Sequence, residues 1–148
     1  MEAMPEAASF GYAVRLAGLW AAWLLMMLFH VELGLMPLFH GLSVEIKSQV
    51  ASSRVPRLFL AMLFYFLLPV GAMLVAIHAI ADPAGWSASP PWRAAQFLFS
   101  LVYSLTNLIH LAADIRIPDS RSDQVVLMVA LTLIGLLINQ QAWAWWQG

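Results

Sequence analysis

The chain has 148 residues, 62% of them hydrophobic and 10% charged, with a mean hydropathy of +0.80; soluble domains carry about 25% charged residues, so a soluble globular domain is excluded. A formal net charge of -1, with no basic run and no aromatic-basic patch, gives no electrostatic case for nucleic acid. The absence of cysteine excludes disulfides, thiolate nucleophiles, iron-sulfur clusters and Cys-based zinc sites, so any metal must be held by imidazole, carboxylate, amide, water or thioether.

The first segment, MEAMPEAASFGYAVR, carries two Glu against one Arg, and the apolar run after it has no small-residue cleavage site before His30 and Glu32. It is expected to be retained, not removed as a secretory signal. Four apolar stretches, roughly 15–39, 57–80, 92–113 and 125–146, are each long enough to cross about 30 Å of hydrocarbon as a helix. Breaks this short force neighbouring helices to alternate in direction. The expected fold is all-α: a single domain over 1–148, a polytopic membrane protein built as an up-and-down bundle of four transmembrane helices.

Orientation follows from the basic residues. The first and third breaks hold five of them (Lys47, Arg54, Arg57, Arg116, Arg121), and the N-terminal region and second break hold two (Arg15, Arg93). The positive-inside rule then places both termini on the non-cytoplasmic side. All seven Trp fall toward that same side, as an interfacial belt would, although Trp20 and Trp23 equally suit helix packing.

The first stretch ends in FHVELGLMPLFHG. His30, Gly34 and Pro37 share a face with Trp23 and Met27, whereas Glu32, Met36 and His40 lie on another, because residues two apart point about 200° apart. Gly34 with Pro37, and Pro69 with Gly71 in the second stretch, are expected to kink their helices. LSVEIKSQVASSRV between them reads as a short surface helix or ordered loop. His78, near the outer end of the second stretch, reads as interfacial or bonded to the following loop.

The third stretch, WRAAQFLFSLVYSLTNLIHLAAD, is the most informative. Gln96, Ser100, Tyr103, Asn107, His110 and Asp114 recur every three or four positions and form one polar stripe on an otherwise apolar helix. In lipid such a stripe turns inward, here toward the first helix. The fourth stretch is expected to be capped by Ser122 or Asp123 and to carry a milder seam of Met128, Thr132, Gly135 and Asn139 suited to close packing.

Depth selects the candidate chemistry. Counting about 1.5 Å per residue from His40 and Asp114 as cytoplasmic ends puts His110 roughly 6 Å deep, Asn107 and Glu32 roughly 10 to 12 Å, and His30 roughly 15 Å. The inner half thus collects His40, His110, Asp114 and Glu32, a His/carboxylate set suited to a divalent metal such as Zn or Fe, with His30 as a further candidate. The i, i+4 pair His110 and Asp114 also suits an ordinary helix side-chain hydrogen bond. Haem is disfavoured, since His30 and His110 differ by roughly 9 Å in that frame.

No HExxH, glycine-rich phosphate loop or serine nucleophile motif occurs. The reading from sequence is a small, non-enzymatic accessory or structural subunit of a membrane assembly, with a ligand or metal site near the cytoplasmic face. Its partners would be the lipid bilayer and either other membrane subunits or further copies of itself. Two alternatives stand beside it: a proton-coupled transporter or channel for a small solute working as a homo-oligomer, and a metal- or haem-dependent membrane redox protein.

Overall fold

The computed structural model describes residues 5–43, 51–116 and 121–148. Among these the chain is helical, with no strand: α1 spans Glu6–Phe39, α2 Val55–Ala81, α3 Pro90–Arg116 and α4 Ser122–Gln147. Single 3-10 turns, Ser52–Arg54 and Trp86–Ala88, precede α2 and α3. All four helices are long and apolar enough to cross a membrane.

Local chemistry sets the ends. Prolines open α2 and α3, where a missing N–H removes nothing the helix needs. α1 begins nine residues ahead of the expected start: Glu6 sits favourably in its first turn, and the run of alanines after it prolongs the helix to Ser9 and beyond. α4 departs from its expected cap. Ser122 is already its first helical residue, Arg121 is the N-cap without a side-chain bond, and the Asp123 carboxylate is taken up by the Arg121 guanidinium instead. α1 runs through Gly34 and Pro37, and α2 through Pro69 and Gly71, without an interruption of the helix. Of the segment expected as a surface helix, residues 44–50 lie outside the described residues, and its end forms the turn at Ser52–Arg54.

The helices pack through a four-three repeat. α1 buries Ser9, Ala13, Leu16, Trp20, Trp23, Met27 and His30, and α4 buries Gln124, Met128, Leu131, Gly135, Ile138, Ala142 and Trp145 on the same spacing. A repeat averaging 3.5 residues keeps one stripe against a neighbour when helices coil left-handedly around each other. α1 lies between α2 and α4, and α4 between α1 and α3. α1 and α4 are antiparallel, since Trp145 Nε1 donates to Ser9 Oγ (3.0 Å) at one end and Gln124 Nε2 to the His30 carbonyl (3.2 Å) at the other. The backbones of α2 and α3 stay apart over most of their length and are bridged by long side chains.

Those bridges form an aromatic core. Trp20 and Trp23 stand edge-on to Tyr103 at 5.9 and 5.4 Å, and Tyr103 stacks on Tyr65 of α2 at 4.9 Å. Trp20, Trp23 and Trp145 are therefore fully buried, while Trp86, Trp92, Trp143 and Trp146 are exposed. For Trp20 and Trp23 the packing alternative holds, and for Trp145 the belt expectation fails, because all three indoles fall on the buried four-three stripes. The outward faces are Leu, Phe, Ile, Val and Met, most extensively on α2, which buries only Pro69, Ala76 and Ala79.

Candidate metal centre

The α3 stripe faces inward, and its members are tied to other helices. Gln96 accepts from Trp20 Nε1 (3.3 Å) and donates to the Ala72 carbonyl (2.7 Å), linking three helices. Tyr103 donates to the Tyr65 carbonyl (2.5 Å), and Asn107 Nδ2 reaches the Leu131 carbonyl (3.5 Å). Ser100 Oγ donates to the Phe97 carbonyl. With its amide nitrogen turned toward α3, Asn139 donates to Ser100 Oγ (2.8 Å) and accepts from Ser104 Oγ (2.9 Å). Gly135 makes this approach possible: a Cβ there would lie 3.1 Å from Ser104 Oγ and 3.2 Å from Asn107 Nδ2.

Among the described residues, two buried atoms of this core, Asn107 Oδ1 and Trp23 Nε1, have no hydrogen-bond partner, and at the end of α3 unpartnered atoms recur in a cluster of three donor groups. His30, His110 and Asp114 each offer one ligand atom, and these atoms lie within 4.8 Å of one another. His30 Nε2 is 3.8 Å from Asp114 Oδ2, and His110 Nε2 is 3.7 Å from Asp114 Oδ1, too long for hydrogen bonds. The two imidazoles meet edge to face, with centroids 5.0 Å apart and planes at 88°. His30 is 9% exposed and Asp114 8%, yet His30 Nδ1 and Asp114 Oδ2 have no hydrogen-bond partner. Burying a carboxylate oxygen and an imidazole nitrogen unpartnered costs on the order of 1–3 kcal/mol each, and more when charged.

Ligand atoms about 2.0–2.2 Å from a tetrahedral zinc ion stand roughly 3.3 Å apart. The three side chains would each move by an ångström or less to take up such an ion. The Asp114 carboxylate would then gain the partner that the described residues do not give its Oδ2. A porphyrin has no such fit: two axial imidazoles flanking an iron have centroids on the order of 6 Å apart with the macrocycle between them, whereas these rings are in direct edge-to-face contact.

No protein-family model matches this chain. Nor does any curated protein or solved structure.

The four metal candidates from sequence separate in space. His110 and Asp114 are together, but their companion is His30, not Glu32 or His40. Glu32 is exposed on the opposite side of α1. His40 is exposed where α1 ends, beside a shallow surface cavity of about 500 Å³ that it lines with Met36, Pro37, Leu42, Ser43 and Arg121. The depth frame misplaced His30 because it set His40 level with Asp114. In fact Arg121 Nη1 donates to the Leu33 carbonyl (3.0 Å), so α1 continues nearly two turns past the start of α4 and His30 falls level with Asp114. His78 is bonded to the following loop through Ser87 Oγ (2.9 Å). Sequence reasoning missed Gln124 and Arg121, which fix α4 to the His30 turn of α1. Gln124 was findable, as it lies one four-residue step before Met128 on the α4 seam.

Proposed function

We propose that this chain is an integral membrane protein of four spanning helices, an up-and-down bundle with both termini on the non-cytoplasmic side, whose function rests on a divalent metal ion bound by His30, His110 and Asp114. The observation that carries this reading is the convergence of three donors from α1 and α3 within 4.8 Å, two of them nine-tenths buried with an orphaned polar atom. Two imidazoles and one carboxylate suit Zn or non-haem Fe(II), and three protein ligands leave at least one position for water or another oxygen ligand. Closed structural zinc sites use four protein ligands, so the donor set favours a working centre over a staple.

His110 lies about 10 Å from the middle of α3, which puts the centre inside one leaflet, a little below the edge of the hydrocarbon. The rest of the α3 stripe supports helix packing, not a conduit, since Gln96, Ser100 and Tyr103 spend their hydrogen bonds on neighbouring turns and helices.

Element analysis of protein extracted in mild detergent tests the proposal. Near-stoichiometric zinc or iron is expected, lost from His30→Ala, His110→Ala and Asp114→Ala and kept by Glu32→Gln and His40→Ala. Metal-free wild type after reconstitution with either ion, or full occupancy in Asp114→Ala, would overturn it.

A further inference from the structure

Beside the centre lies a second feature that a metal site alone does not require. A cavity of about 400 Å³ opens where α2 and α3 stand apart, lined by Met27, Val31, Met62, Phe66 and Ile109, with His110 on its wall. Its size is that of a small-molecule site. Of the three donors only His110 lines the cavity, and its side chain is 42% exposed against 12% for Asp114, so the cavity meets the centre at His110. Among the described residues the other polar groups lining the cavity are Tyr65 and Thr106, and they are occupied with each other. Thr106 Oγ1 donates to the Tyr103 carbonyl (2.8 Å), so in the 2.8 Å contact with Tyr65 it is the phenol that donates. Among the described residues the wall therefore offers an incoming ligand no free hydrogen-bond donor besides His110.

Charge decides what enters. A divalent ion held by two neutral imidazoles and one carboxylate keeps a net charge of +1. Nearby Arg121 is already matched by Asp123. An uncompensated charge inside hydrocarbon is costly, so the open metal position favours an anion. The cavity that leads to it is apolar and opens laterally toward acyl chains. An anion with an apolar tail satisfies both conditions.

We infer that the cavity between α2 and α3 takes a long-chain carboxylic acid from the surrounding lipid, its carboxylate completing the coordination of the metal at His30, His110 and Asp114. The tail runs past Ile109, Met62 and Phe66 toward the bilayer. This rests on the metal reading above, and it makes the metal the sole polar anchor: the acid binds the loaded protein and not the metal-free one.

Cobalt(II), whose ligand-field absorption reports coordination, is the probe ion, and laurate the probe ligand. With Co(II)-loaded protein in a maltoside detergent, laurate should shift the spectrum saturably and bind at least tenfold more tightly than acetate, which lacks the tail. Dodecanol, which lacks the charge, should leave the spectrum unchanged. Met62→Trp, on α2 and away from the metal helices, should keep the cobalt spectrum and lose at least tenfold in laurate affinity. Its starting spectrum shows directly whether the centre is intact, and Ile109→Trp gives a second cavity-filling variant on α3. If cobalt binds and laurate does no better than acetate, or Met62→Trp and Ile109→Trp bind it normally, the lipid inference is wrong and the metal reading stands. If no cobalt binds, both fall.

Discussion

Replacing Gly135 by leucine tests the close approach of α4 to α3. The first added atom would stand 3.1 Å from Ser104 Oγ, 3.2 Å from Asn107 Nδ2 and 3.8 Å from Ser104 Cα, where carbon contacts are normally about 3.5–4.0 Å. The two polar contacts must open by a few tenths of an ångström before the isobutyl group is placed at all. Overpacking of this kind costs roughly 1–3 kcal/mol. The bonds from Asn107 to Leu131 and from Ser104 to Asn139 are strained or broken with it, at about 0.6 kcal/mol each by the measured mean within membranes. Against this, leaving glycine gains just under 1 kcal/mol of helix propensity. The expected net loss for Gly135→Leu is about 2 kcal/mol, whereas Gly135→Ala, adding only the first carbon, should stay within about 1 kcal/mol of wild type. Unfolding in mixed dodecyl sulfate micelles, followed by fluorescence of the buried tryptophans, measures both. A leucine variant within about 0.5 kcal/mol of wild type would refute the close approach of α3 and α4 at this level.

Ser9→Ala should cost about 1–2 kcal/mol by stranding the buried Trp145 indole N–H, and combining it with Trp145→Phe should cost less than the two singles added, as a double-mutant cycle in the same assay will show. Gln96→Ala removes the partner of both Trp20 Nε1 and the Ala72 carbonyl; a loss of about 1–3 kcal/mol is expected, and a neutral result would mean α2 is not tied to α3 there. Saturating zinc at about a hundred times its Kd should stabilise the wild type by roughly 2.7 kcal/mol and leave Asp114→Ala unmoved, read as a shift of the unfolding midpoint. Glu32→Gln and His40→Ala should alter stability by no more than about 0.5 kcal/mol, since both side chains are exposed and apart from the metal cluster.

Some of this was written plainly in the chain. The α3 stripe was legible because amides, hydroxyls and a carboxylate at four-three spacing contrast with Leu, Val and Ile around them, and their inward direction follows from the medium. The matching stripes of α1 and α4 share that spacing but are drawn in Ala, Leu, Met and Trp, which look the same as the lipid-facing residues beside them. That is why Trp20 and Trp23 suited a belt and helix packing equally, and why Trp145 read as belt and proves to be core. The pair His110 and Asp114 was legible because one helix carries both. Their third partner was not, because the axial offset between α1 and α3 depends on where α4 begins on α1, which the Arg121 and Gln124 contacts fix and no periodicity reveals.

The seam of α3 also bears on how such a chain is made. Its mean hydropathy is 1.4, the lowest of the four spans and well below the 2.4 of the second. Entering the bilayer alone, it would expose Gln96, Asn107 and Asp114 to acyl chains with nothing to answer them. Only four residues separate the last described position of α3 from Arg121, so the ribosome delivers α4 almost at once behind it. The favourable course is for both to leave the translocon as one hairpin, with Asn139 and Gly135 already shielding Ser100, Ser104 and Asn107, which would otherwise help hold α3 back at the lipid boundary.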